Sequence, residues 1–516
     1  MKMCRTFRCR HAATEPRYEV MREVFVRSLG AIYVFAFASL SVQVLGLVGA
    51  DGLLPAHDFL AAAHRSYGAE AYWLFPTLCW LSASDAMLQA LCAVGGLASF
   101  GVVVGLAPAL GLSLAWSAYL SLSVAGQAFL SFQWDTLLLE AGLLGIFFAP
   151  GGLWPRPATR RAASPLVRWM LWLLLFKLMF LSGVTKLLSG DPVWSSWTAL
   201  GFHYETQPLP TWTSWYAHLL PTGLQRACVG FMWLAELIAP FAIFAPVRVR
   251  WVRWVGCGVM LTLQLGIAAT GNYGFFNLLA AALCLTLLDD DVWGRLGLAT
   301  ASETPARPPR GARIARAVAA ACLLPLSLLA FLGESGWTPR ALEPGGALSW
   351  TRPVVASFRP LRSVNGYGLF RVMTTERREL AVEGQTPSGD WVPYPFRWKV
   401  GAPERVPRFA GPHMPRLDWQ MWFAALDPGR QERWLMSLAH HLLSGTPEVR
   451  SLLGPGPFES GPPQAVRFVL DRYRFTRWGE EGWWSRERLG PITRPLSLPV
   501  SRTRGPRGDV KDRVAR

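Results

Sequence analysis

Residues 166–210 read LVRWMLWLLLFKLMFLSGVTKLLSGDPVWSSWTALGFHYETQPLP. This stretch decides the fold. Its first half is an apolar run of bilayer length, because a hydrocarbon core of ~30 Å needs about 20 helical residues. Its second half is polar and aromatic. From Leu187 to Gln225 there is no Lys or Arg, in a chain of formal charge +17. Membrane proteins concentrate positive charge in cytoplasmic loops, so a long loop purged of it belongs on the opposite side.

Outward from this stretch, comparable apolar segments cover 28–50, 84–105, 107–130, 136–150, 227–246, 253–270, 273–289 and 314–332, about nine spans in all. The segment 136–150 is short, and 314–332 contains Pro325. Charge orders them. Arg5, Arg8, Arg10, Arg17, Arg22 and Arg27 precede the first span and place the N-terminus in the cytoplasm. Arg156, Arg160 and Arg161, then Arg248, Arg250 and Arg253, then Arg295, Arg307, Arg310 and Arg313 fall on that same side. Loop 51–83, with only Arg65, and loop 189–225 fall on the other. An odd number of spans puts everything after 332 outside. The organisation expected is a basic cytoplasmic N-terminus over 1–27, a polytopic membrane domain over 28–332, an extracytoplasmic β-rich domain over 345–500 and a disordered basic tail over 501–516.

Composition agrees. Charged residues make up 16% of the chain, against about 25% in soluble domains. Arg residues cluster beside apolar spans, so topology explains the basic excess and nucleic acid is not an expected partner. The first apolar segment is long and lacks a small-x-small cleavage site, which reads as a signal anchor. Arg far outnumbers Lys and Asn occurs only at 272, 277 and 365, a drift that suggests a GC-rich bacterial genome. No Cys follows Cys322, so disulfides cannot staple the outer domain, and there is no Cys-x-x-Cys pair for thiol exchange.

Past residue 350 the periodicity changes. Leu380 and Val382, then Trp391, Tyr394, Phe396 and Trp398, alternate with polar residues about Thr386–Asp390, which reads as a β-hairpin. Val466, Phe468 and Leu470 mark another strand. Trp419, Trp422, Phe423 and Leu426 share a helical face, as do Trp434, Leu435, Leu438 and Leu442. The fold class is a multi-pass α-helical membrane bundle followed by a β-sandwich-like extramembrane domain with helical additions.

Several long motifs occur in order: FQWDTLLLE at 132–140, GFHYETQPLP at 201–210, TGNYGFFN at 270–277, VNGYGLF at 364–370 and PHMPRLDWQMWF at 412–423. Together, from about 25 to 500, they resemble the lipase maturation factor family. The resemblance implies a multi-pass protein whose C-terminal domain lies on the lumenal side of the endoplasmic reticulum. There it would act as a chaperone, helping secreted dimeric lipases fold and assemble; in a bacterium the equivalent compartment is the periplasm, bounded by the inner membrane. Ser182-Gly183 followed by Lys186-Leu187 and Trp194 is also similar, over the bundle alone, to vitamin K-dependent carboxylase-like membrane domains. That likeness implies an alternative: a membrane enzyme using Lys186 as base on a quinone or lipid-like substrate, with His203 or Glu205 assisting.

Ionisable groups in lipid are costly and usually paired. Asp135, Glu140, Lys177, Lys186 and Glu236, with the amides Asn272 and Asn277, form the expected membrane polar network. Lys177 and Glu236 lie at similar depth and are expected to pair, as a structural ion pair or a relay. Nine positions separate Lys177 from Lys186, about half a turn of phase, so the two should face opposite ways. His203, Tyr204, Glu205 and Gln207 form a loop motif suited to acid–base work or to plugging the bundle mouth. His413, Arg416, Asp418 and Trp419 suit client contact or a domain seam. No Gly-x-Ser-x-Gly elbow, Walker loop or zinc motif is present. The reading is a membrane-anchored maturation factor with the lipid bilayer and secreted clients as partners, without cofactor or metal.

Overall fold

The computed structural model describes residues 16–155, 162–298, 308–335, 343 and 345–498. The tail 501–516, most of the linker expected at 301–313, and the arginines at 5, 8, 10, 156, 160, 161 and 307 lie outside the described residues.

Among the described residues, seven helices are long and apolar enough to cross a membrane. They are α1 (Glu19–Ser41), α2 (Asp85–Val104), α3 (Pro108–Ala125), α5 (Pro165–Leu188), α8 (Thr222–Phe244), α9 (Trp251–Thr270) and α11 (Arg310–Glu334). Two of the nine expected spans are shorter. Helix α4 is Gln133–Phe148, and α10 is only Phe276–Leu285. Ten helical residues rise about 15 Å, half a hydrocarbon core. Segment 271–289 nevertheless returns along the whole of α9, since Asp289 meets Arg250 at 3.3 Å, beside the start of α9. Both short helices are largely buried within the bundle, where protein rather than lipid surrounds the irregular backbone.

Helix α1 starts at Glu19, not at 28, so Arg22 and Arg27 are helical. The backbone N–H groups of Glu19, Val20 and Met21 all donate to the Asp290 carboxylate. That remote carboxylate caps the helix start, which has no side-chain cap of its own. Helix α8 widens into a π turn over Leu234–Ile238. The cause is Pro240, which has no N–H to give the carbonyl of Glu236 four residues earlier.

The bundle therefore has two ends. Asp290, Arg250 and the start of α1 share one. The other carries the joint between loop 189–221, which holds α6 (Leu200–Thr206) and α7 (Trp212–His218), and the C-terminal domain. That domain has one four-stranded antiparallel sheet among the described residues, in the order β2-β1-β3-β4. Its strands are β1 (Arg377–Gln385), β2 (Trp391–Pro393), β3 (Val466–Phe475) and β4 (Trp484–Pro491). The expected hairpin forms: Gln385 pairs with Trp391, and Thr386 N–H closes the turn on Asp390 O at 2.9 Å. Leu380 and Leu470 face each other across β1 and β3. Helices α12 (Arg416–Leu426) and α13 (Glu432–Ser444) carry the two apolar stripes, and Trp419, Trp434, Leu435, Leu438 and Leu442 are buried. The bundle and this domain share one continuous core.

Candidate functional site

Both lysines of α5 are buried, and each meets a carboxylate from a different neighbour. Lys177 Nζ donates to Glu140 of α4 at 2.5 Å and to Ser327 of α11 at 3.0 Å. The other Glu140 oxygen accepts from Tyr367 Oη at 2.7 Å, Asn365 N at 3.1 Å and Asn365 Nδ2 at 3.2 Å. Lys186 Nζ instead donates to both oxygens of Glu236, at 2.8 and 2.7 Å, and to Ser182 O at 3.2 Å. The expected Lys177–Glu236 pair is thus wrong in partner. Depth alone suggested it, but α4 flanks one face of α5 and α8 the other. The expectation that the two lysines face opposite ways and take different partners holds.

Asp135 of α4 reaches across to the C-terminal domain. Arg416 Nη1 and Nη2 clamp its two oxygens at 2.6 and 2.8 Å, and Tyr119 Oη adds a bond of 2.6 Å. Asp135 is fully buried and Arg416 is 1% exposed. Bidentate geometry and the hydroxyl satisfy the carboxylate away from water. His413 Nδ1 meets Ser39 Oγ of α1 at 2.9 Å. Asp418 accepts Trp398 N and Lys399 N at 2.9 Å each, inside its own domain, and burial raises its carboxyl pKa above the usual range. So His413 and Arg416 form a seam, Asp418 braces the domain, and all three are already occupied. Trp419 packs edge-on against Trp134 and Tyr273.

The loop motif divides. Glu205 turns to the sheet, accepting Phe475 N at 2.7 Å, with His218 at 4.0 Å; burial raises the Glu205 pKa and lowers that of His218. Tyr204 packs with Trp215 and Tyr473. Arg377 of β1 fastens the motif by donating to the carbonyls of Glu205, Gln207 and Pro208 at 2.8, 2.6 and 3.1 Å. Asn272 also ties loop to domain, donating to Leu209 O and Arg408 O and accepting Ala410 N.

His203 and Gln207 turn the other way, into a cavity of about 310 Å³ between the bundle and the C-terminal domain. Lys186, Glu236, Gln264 and Asn277 also line it. Much of the wall is aromatic, from Phe132, Trp134, Phe276 and Phe370 to Trp422 and Phe423. Burial, then the nearby Lys186 charge, pushes the His203 pKa down to about 4, so this ring is neutral at pH 7. Lys186 and His203 are therefore brought together, whereas Glu205 is not. Every N–H of Lys186 is donated in this geometry, which suits holding a carboxylate better than removing a proton. Gln264, Tyr273 and Arg377 were not singled out from sequence. Tyr273 lay within a quoted motif; a buried Arg377 beside an exposed Arg378 has no local signature. Among the described residues no group of three His, Cys, Asp or Glu could hold a metal ion.

Residues 20–295 match the family model for the lipase maturation factor transmembrane domain, and 363–494 that for the lipase maturation factor C-terminal domain. Human lipase maturation factor 2 is 34% identical over 592 residues, covering 92% of this chain and 82% of the relative. Bovine lipase maturation factor 1 is 34% identical over 509 residues, covering 92% and 89%. Mouse lipase maturation factor 1 is 33% identical over 513 residues, covering 92% and 87%. No solved structure matches.

Proposed function

The chain belongs to the lipase maturation factor family, and from that premise we propose that it is a membrane-anchored assembly factor for secreted client proteins, lipases among them. The bundle holds the C-terminal domain at the non-cytoplasmic surface, where clients fold. In a eukaryotic cell that surface faces the lumen of the endoplasmic reticulum; in a bacterium it faces the periplasm.

The observation that carries this reading is the seam. Arg416 and His413 of the domain bond to Asp135 and Ser39 of the bundle, and Arg377 and Trp422 bond to the loop after α5, which has no Lys or Arg. A domain held at so many buried points is positioned rather than tethered. The arginine-bearing ends of α1 and α9 lie at the opposite end of the bundle, as the rule that basic loops stay cytoplasmic requires.

The test is complementation. Cells lacking their own factor receive the full chain or a chain stopped after residue 335, together with a secreted dimeric lipase. Secreted lipase activity should return only with the full chain, while both forms insert. A lipase that matures equally well with either would overturn the proposal. A reporter fused after residue 498 should be active outside the cytosol.

A further inference from the structure

We infer that the cavity between α5, α8, α9 and the C-terminal domain binds an uncharged lipid whose head carries a hydroxyl group. The inference goes beyond the maturation role and stands on separate observations.

The first is charge. Among the described residues, Lys186 and Glu236 are the only Lys, Arg, Asp or Glu lining the cavity, and each neutralises the other through two hydrogen bonds. A phosphate or carboxylate head would have to pull Lys186 away from Glu236 and leave that carboxylate buried and unpaired, which is strongly unfavourable. A cationic head meets the mirror-image problem.

The second is unmet hydrogen bonding. Gln264 and Asn277 are 5% and 6% exposed, and both line the cavity. Asn277 Nδ2 donates to Gln264 Oε1 at 2.9 Å. Among the described residues the Gln264 amide hydrogens find only Met179 Sδ at 3.7 Å, a weak acceptor. The Asn277 oxygen has no hydrogen-bond partner among the described residues. These amides therefore offer both a donor and an acceptor to whatever enters.

The third is the tautomer of His203. Gln207 Nε2 donates to Tyr204 O and Thr270 O, which fixes that amide and turns its oxygen toward Tyr273. Tyr273 Oη donates to Gln207 Oε1 at 3.0 Å, so its single hydrogen is used. His203 Nε2, 3.3 Å from the same hydroxyl, must then be the donor of that contact. Nδ1 is left with a lone pair and no partner among the described residues. A bound head must give a hydrogen bond as well as receive one. A hydroxyl does both, whereas a carbonyl oxygen alone only receives.

The walls describe the rest of the ligand. They are aromatic and aliphatic over most of their area, and the volume lies at the small end of the range for small-molecule sites. The same helices carry Leu187 and Leu265, 55% and 68% exposed, outside the cavity lining. The shared chemistry is a hydroxyl on an apolar body; an acylglycerol and a sterol both have it.

The experiment uses the purified full chain in mild detergent and a monoacylglycerol with a photoreactive diazirine in its chain. Labelling should saturate and map to cavity residues, and monoolein, cholesterol or both should compete. Competition by monoolein alone identifies an acylglycerol site, and by cholesterol alone a sterol site. The dimethyl ether of monoolein should compete at least tenfold less well, and oleate no better than that ether. Asn277→Leu should abolish the preference for hydroxyl over ether. If that variant does not fold, Met179→Trp, which fills the cavity, should abolish labelling while leaving the thermal transition in place. Equal competition by the ether, better competition by oleate, no competition by either hydroxyl lipid, or labelling confined to Leu187 and Leu265 would overturn the inference. Binding is read without any client, so a negative result leaves the maturation role untouched.

Discussion

The two faces of α5 carry the same chemistry in different surroundings. On one, Lys177 and Glu140 are closed in by Ser327, which bonds the lysine, and by Tyr367 and Asn365, which bond the carboxylate. On the other, Lys186 and Glu236 are just as tightly joined but border open space, with His203, Gln264 and Asn277 around it. Burial of an ion pair therefore says little about its use. A pair whose neighbours fill every gap braces the fold, and a pair beside unfilled space can also serve a ligand.

The largest effect should come from opening the closed side. Glu140→Leu leaves Lys177 with only the Ser327 hydroxyl, and losing one partner of a buried pair costs about 3–5 kcal/mol. The expected result is a marked fall in melting temperature and in the yield of inserted protein. Next comes acid. His203 is held neutral, with a pKa of about 4 against 6.5 when free. The unfolded chain binds more protons between those values, so stability is intact above pH 6.5 and lost as pH falls toward 4, by up to roughly 3 kcal/mol. Thermal melts at pH 7 and pH 4.5 should show this slope, and His203→Phe should flatten it; an equal slope in the variant would place the titrating group elsewhere. Lys186→Met should cost less than the about 3–5 kcal/mol of Glu140→Leu, because when no lipid fills the cavity water can enter it and hydrate Glu236. A loss as large as that of Glu140→Leu would erase the distinction between the two faces. Smallest of all should be the gain from adding Lys177→Met to Glu140→Leu. The second change removes the unpaired charge but leaves Tyr367 and Asn365 without their acceptor, so stability, read from the melting temperature, should recover by only about 1 kcal/mol.

Much of this architecture was legible in the sequence because its signals are local and periodic. The 45-residue stretch around α5 shows both a crossing helix and a loop free of positive charge. The strand alternation at Leu380 and Val382 and the stripe at Trp419, Trp422, Phe423 and Leu426 needed no tertiary information. Helix phase correctly separated Lys177 from Lys186. It could not say which carboxylate each would meet, because that depends on which helix packs beside which face. The start of α1 was misplaced for a related reason: its cap is supplied from residue 290. The short α10 read as a full span because apolar residues continue on both sides of it after the helix has ended. The cavity was illegible altogether. Its lining comes from α4, α5, α6, α8, α9, α10 and α12, and no window of sequence contains two sides of it.

The clasp between Asp135 and Arg416 joins residues 281 positions apart. A ribosome has therefore emitted nearly the whole polypeptide before that carboxylate can meet its guanidinium, and Asp290 likewise comes late to the amides at Glu19. Until then the bundle exists as a set of inserted helices with a charged group still waiting. Translation order thus leaves Asp135 with Tyr119 as its hydrogen-bond partner until the C-terminal domain brings Arg416 to it.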